Sequence, residues 1–211
     1  MTVAAVMTYD SLVDDISTYL ERDDTATLIK IPQFIMLAEQ IIAADLKFLG
    51  NLTVAESTMV QGEATIAKPA RWRKTVSMNV TVGQERFPVL LRKYEYLREY
   101  WPKPAEEDVP KFYCDYDYEN WLVAPTPAES YNFEVLYYQR VQPLDSSNQT
   151  NWFTQYAPQA MLYGSLLQAM PFLKNDERMP MWQGNYDHFI EVLKTEDVTR
   201  VADRQAIVRD S

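Results

Sequence analysis

Residues 151–170, NWFTQYAPQAMLYGSLLQAM, put apolar side chains on almost every side of a helix. Such a helix is stable only when other elements cover it all round. Pro158 suits a first helical turn, because its fixed φ and missing N–H cost nothing there. Tyr156, Ala160, Tyr163, Leu167 and Met170 then follow a four-three-four-three spacing, with Met161, Leu162 and Leu166 on the flanks. No apolar run reaches the ~20 residues of a membrane span, so the sequence predicts a buried helix and no membrane partner.

The cover is sought at the two chain ends. In TYDSLVDDISTYLERDD, Leu12, Ile16, Tyr19 and Leu20 recur at helical spacing. Thr8 is placed as the N-cap and Asp10 lies in the first turn, where the helix dipole favours an anion. IPQFIMLAEQIIAADLKFLG opens a second helix at Pro32 with a broad face of Phe34, Ile35, Ala38, Ile41, Ile42, Leu46 and Leu49, closed by Gly50. A last helix is expected from about Glu177 to Ala202, with Trp182, Tyr186, Phe189 and Leu193 on its seam.

Between residues 51 and 150 the period changes from 3.6 to 2. TVSMNVTVGQERFPVL alternates and turns at VGQE; KFYCDYDYENWLVAPTP reads as strand, turn, strand, with Phe112, Cys114 and Tyr116 on one face. YNFEVLYYQRV is another strand, and LLRKYEYLREYWPKP a short helix stopped by Pro102 and Pro104. The expected fold is therefore α+β: a helical bundle formed by both chain ends with an inserted antiparallel β-rich module. Its parts are residues 1–50, 51–150 and 151–202, followed by an extended tail over 203–211.

Composition removes several function classes. One cysteine, Cys114, excludes an internal disulfide framework and a cysteine-based zinc site; one histidine, His188, removes most hydrolase and metal arrangements. Five scattered glycines build no phosphate loop, Ser165 has no GxSxG around it, and no catalytic, cofactor-binding or metal residue is assigned. A net charge of −10 disfavours a chain built to grip nucleic acid or anionic lipid.

Three stretches remain as candidates. DYDYE places Asp115, Asp117 and Glu119 on one face if it is extended, which would suit a hard cation, but the turn glycine of a calcium loop is missing. KPARWRK gathers Lys68, Arg71, Trp72, Arg73 and Lys74, a candidate contact for the phosphate backbone of DNA, another subunit or an acidic partner protein. RVADRQAIVRDS alternates Arg200, Arg204 and Arg209 with apolar residues including Ile207 and Val208, a candidate docking segment.

The chain resembles the head-to-tail adaptor proteins of tailed bacteriophages, also called connector, head completion or tail tubular A-type proteins. MTYDSLVDDISTYLERDD…IPQFIMLAEQII is similar to the family's opening helix pair. KPARWRKTVSM stands at its strand entry, with the family's proline-aspartate form altered. VPKFYCDYDYENWLVAPTPAESYNFEVLYYQRVQPL resembles its hairpin, and NWFTQYAPQAMLYGSLLQAMPFLKNDERMPMWQGNYDHF its closing helices.

The resemblance implies a non-enzymatic structural protein of the virion neck, made in the host cytoplasm. It implies a ring of twelve copies between the portal protein and a tail nozzle or tail tube protein, continuing the channel through which genomic DNA passes without tight binding. Arg200, Arg204, Ile207, Val208 and Arg209 would then dock on the portal. Two other readings stay open on the residues alone: a tail-associated cell-wall glycan hydrolase using Asp117 and Glu119, and a small monomeric binding protein.

Overall fold

The computed structural model describes residues 6–46, 51–173 and 177–205. The chain divides into two compact units: residues 1–50 with 141–211, and the continuous segment 51–140. It is a mixed α+β protein.

In the first unit, α1 (Tyr9–Leu20) starts at Thr8, whose hydroxyl accepts from the Ser11 N–H at 3.1 Å while Ser11 Oγ accepts from the Thr8 N–H. This capping box satisfies two otherwise orphaned donors. Leu12, Ile16 and Leu20 are buried as expected, but Tyr19 is exposed. A single-turn helix not expected from the sequence, α2 (Thr25–Leu28), is capped by Asp24. Then α3 (Ile31–Asp45) begins with Pro32 in its first turn. Its Ile41 is exposed, whereas Phe34, Ile35, Ala38, Ile42 and the following Leu46 are buried. Leu49 and Gly50 lie outside the described residues.

The C-terminal part opens with a second unexpected short helix, α5 (Trp152–Tyr156), capped by Asn151. A break at Ala157 precedes α6 (Pro158–Leu173), so Tyr156 leaves the seam and stands exposed. On α6 the expected Ala160, Met161, Leu162, Leu166 and Met170 are buried, joined by Gly164, Ser165 and Ala169, whereas Tyr163 and Leu167 are only half-buried. The small residues among them stand where other helices come close. A Cβ on Gly164 would meet Tyr186 Cε2 at 3.2 Å, Ala38 Cβ at 3.4 Å and Ile42 Cδ1 at 3.5 Å. Last comes α7 (Met179–Gln205), with Trp182, Tyr186 and Ile190 buried. Within the unit α6 lies against α3, α7 and α1. One hydrophobic cluster joins residues of all four helices with Phe153 and Leu144.

Leu144 and Val141 belong to this cluster, so residues 141–150, expected in the β module, pack with the helices instead. Residues 25–45 are also apolar enough, by length and composition, to pass as a membrane-crossing segment, against the expectation that no such stretch exists. Here α3 serves as a core helix, at 15 residues about 22 Å long and short of a ~30 Å hydrocarbon layer.

The second unit holds one seven-stranded sheet and a two-stranded ladder. Its strands are β1 (Leu52–Met59), β2 (Thr65–Ala67), β3 (Trp72–Val82), β4 (Glu85–Leu91), β5 (Glu107–Asp108), β6 (Phe112–Asp115), β7 (Asn120–Ala124), β8 (Thr126–Pro127) and β9 (Tyr131–Gln139), with α4 (Tyr94–Tyr100) after β4. The sheet order is β1-β9-β3-β4-β6-β7-β2; all its pairings are antiparallel except β4 with β6. The β3–β4 hairpin turns on Gly83, whose φ of 64° suits the first central position of a two-residue turn. Met78, Val80, Tyr131, Phe133, Val135 and Tyr137 form the dry face, and Glu56, Asn79 and Glu134 lie in register on the other.

Candidate interaction surfaces

The basic stretch does not form one open patch. Lys68 turns inward: its side chain is only 3% exposed, and its ammonium pairs with Asp115 and donates to the carbonyls of Asp117 and Tyr118. It also lies 4.2 Å from the centre of the Trp72 ring, a cation–π contact. Trp72 donates from Nε1 to Thr75 Oγ1 at 3.0 Å and meets Trp121 edge-on at 6.0 Å. The pair Lys68 and Trp72 thus braces the 116–119 turn, and both side chains also line a cleft with Arg71 and Arg140. Arg73 is half-buried. Arg71 and Lys74 remain exposed, Arg71 with a left-handed φ of 58° beside a cleft of about 390 Å³ that also touches Glu119 and Arg140.

The carboxylates of DYDYE are not aligned on a strand either. Tyr116 is exposed in the turn and does not share an inward face with Cys114; both Tyr113 and Cys114 are buried on β6. Asp117 Oδ1 accepts from the backbone N–H groups of Glu119 at 2.8 Å and Asn120 at 2.7 Å. The Asn120 side chain gives further hydrogen bonds, which hold the Asp117 carboxyl below its usual range. A glycosidase acid needs a raised pKa in a pocket; Asp117 has the reverse, in an exposed turn. Among the described residues no group of His, Cys, Asp and Glu has the arrangement of a metal site. His188 is exposed on α7.

Part of the segment read as an extended tail, residues 203–205, is helical. Helix α7 continues through Asp203, Arg204 and Gln205, so those residues are helical and not extended; the backbone of Arg200 is helical too. Ile207, Val208 and Arg209 lie outside the described residues.

One residue not singled out in the sequence organises the first unit. Glu39, on α3, is 7% exposed. Its Oε1 accepts from Asn151 Nδ2 at 2.7 Å and from the Leu144 N–H at 3.2 Å, and Oε2 accepts from the same N–H at 3.3 Å. Asn151 also caps α5 and donates to the Gln142 carbonyl at 3.1 Å. Burial pushes the Glu39 carboxyl up to about 7, against the opposing pull of the Asn151 and Leu144 hydrogen bonds. The signal was there: Glu39 is the one charge between Ile31 and Ala44.

The SU10 adaptor protein model matches the chain over residues 7–209. The chain belongs to the SU10 adaptor protein family. This is a phage head-to-tail adaptor family, in keeping with the resemblance carried by the helix pair, the hairpin and the closing helices. The chain is accordingly a structural adaptor of the phage virion that engages other virion components. No curated protein matches it.

Proposed function

We propose that this adaptor forms a twelve-membered ring between the portal and the tail nozzle or tube and continues the DNA channel. The observation that carries this is the family match over 7–209, which takes in both helical ends and the β segment together. In this reading the helices of both chain ends make one bundle, with the β unit inserted as a separate module. Subunits contact one another head to tail, and only one rotation closes the ring. A conduit should not hold DNA, and a net charge of −10 suits that role.

The portal-docking residues are proposed at the far end of α7: Arg200, Arg204, Ile207, Val208 and Arg209. Burying Ile207 and Val208 in a cleft between portal subunits contributes ~1.5–3 kcal/mol each if complete. Ordering the segment costs ~1–2 kcal/mol per residue, so one tail binds weakly and several on one ring bind well. The test is truncation after Gln205. The shortened protein should melt at the unaltered temperature yet fail to attach to portal-bearing heads; attachment at the normal level would move the docking site elsewhere.

A further inference from the structure

We infer that neighbouring copies in the ring join where the acidic outer face of α1 in one copy enters a cleft of the β unit in the next, its carboxylates held by Arg71 and Arg140. The inference rests on the ring proposed above and adds to it the two faces and the chemistry between them.

The cleft, of about 390 Å³, is lined by residues 67–72, 118–120 and 140. Arg71 and Arg140 reach it from one point, because the Arg140 N–H donates to the Arg71 carbonyl at 2.6 Å. Both are exposed, and among the described residues neither has an ion-pair partner. The ammonium of Lys68, in the same wall, is already taken by Asp115 and two carbonyls. Glu119 lines the cleft too, so one carboxylate faces two unpaired guanidinium groups. Each guanidinium presents a planar fork of donors that fits a carboxylate.

The occupant follows from the other side of the charge. The helical unit holds 17 acidic and 9 basic residues, and the chain has no lysine or arginine before Arg22. On α1, Asp10, Asp14 and Asp15 are all exposed, and among the described residues none of them has an ion-pair partner either. Asp10, in the first turn, is favoured by the helix dipole. Asp14 and Asp15 lie beyond that turn, and Asp14 stands four residues from Asp10, a spacing at which like charges weaken a helix. Ring contacts between identical subunits require two different surfaces that complement each other. Unpaired acids on one unit and unpaired arginines on the other meet that requirement.

DNA fits the cleft less well. A duplex laid on the arginines would bring its phosphates against Glu119, and Asp115 and Asp117 are exposed on the same hairpin. Tyr118, 77% exposed, and the half-buried Trp72 add aromatic surface of the kind found between proteins. Salt weakens the long-range repulsion of two copies at −10 each before it weakens pairs enclosed in a cleft.

The test adds full-length chain to portal-bearing heads that lack the adaptor and counts the copies bound per head. Three variants are compared with the wild type: Arg71→Glu with Arg140→Glu, Asp14→Arg with Asp15→Arg, and all four changes together. The four positions are exposed, so each variant should melt with the wild type. Each double variant should leave about tenfold fewer copies bound, or fewer still, and the fourfold variant should restore them. Full binding by both double variants would overturn the pairing and leave the ring standing. Failure of the wild type itself to bind in twelve copies would overturn both. A loss in either double variant that the fourfold variant does not restore would assign that face to a different protein. Duplex binding tighter than about micromolar, lost only in the arginine variant, would assign the cleft to DNA. Either result overturns the proposal.

Discussion

Glu39 is the residue at which the energetics of the helical unit are most exposed to solution conditions. A buried carboxyl whose value rises from 4.5 to about 7 on folding holds its proton more tightly in the native chain than in the unfolded one. Its contribution to stability is therefore complete below pH 4.5 and is lost as the pH rises to about 7. The size of that loss is about 3 kcal/mol. Glu39→Gln keeps a side-chain oxygen for Asn151 and Leu144 but removes the titration. The difference in urea midpoint between variant and wild type should shift in the variant's favour between pH 4.5 and 7.5, then stay flat. A constant difference would show that Glu39 does not titrate in this window. Lys68 makes the complementary case. Lys68→Met keeps the stem over Trp72 but leaves the Asp117 and Tyr118 carbonyls without their donor, at a cost of about 1–2 kcal/mol. Hydrogen exchange should rise at residues 115–120 and nowhere in the helical unit; unchanged exchange there would deny the brace.

At the scale of elements, what the sequence reveals is what local chemistry decides. The Thr8 cap, the proline in the first turn of α3, the Gly83 turn and the alternation of β9 all rest on interactions within a few residues. What stayed hidden depends on neighbours far away in the chain. On α6 the expected Ala160, Met161, Leu162, Leu166 and Met170 are buried, but the small Gly164, Ser165 and Ala169 are buried with them while Tyr163 and Leu167 are not, because Ala38, Ile42 and Tyr186 press against Gly164. The parallel pairing of β4 with β6 and the clasp of Glu39 on Asn151 span too many residues for any periodicity to show. The pairing of Lys68 with the Asp115 carboxylate and the Asp117 and Tyr118 carbonyls was hidden because those partners lie 47 to 50 residues away in the chain. The small-residue contact gives a sharp prediction. Gly164→Leu must displace Tyr186, whose hydroxyl is tied to Asp45 at 3.4 Å, and Ala38 and Ile42 as well. Overpacking of this kind costs about 2–3 kcal/mol, which should lower the melting temperature by roughly 4–12 °C. A variant that melts with the wild type would mean that α3 and α7 yield freely at this crossing.

For the whole molecule the uneven division of charge matters most. The helical unit has a net charge of −8, whereas the β unit, with 13 acidic and 11 basic residues, is nearly balanced at −2. Copies brought together by their helical units repel; contact through the β units meets much less resistance. A ring of such subunits should therefore be weak in dilute buffer and form when a portal gathers the copies or when salt screens them. The Debye length falls from about 30 Å at 0.01 M salt to about 10 Å at 0.1 M and about 3 Å at 1 M, so repulsion across a subunit boundary fades over that range. Sedimentation of the isolated chain at a fixed micromolar concentration should show a mass near 24.6 kDa at low salt and a rising average as salt is added. DNA should respond in the opposite direction, since any contact with Arg71 or Lys74 weakens with salt, and duplex affinity should stay weaker than about micromolar at physiological salt. A stable closed ring at low salt would mean that apolar contacts between subunits outweigh the charge of the helical unit. In that case assembly would precede the portal instead of depending on it.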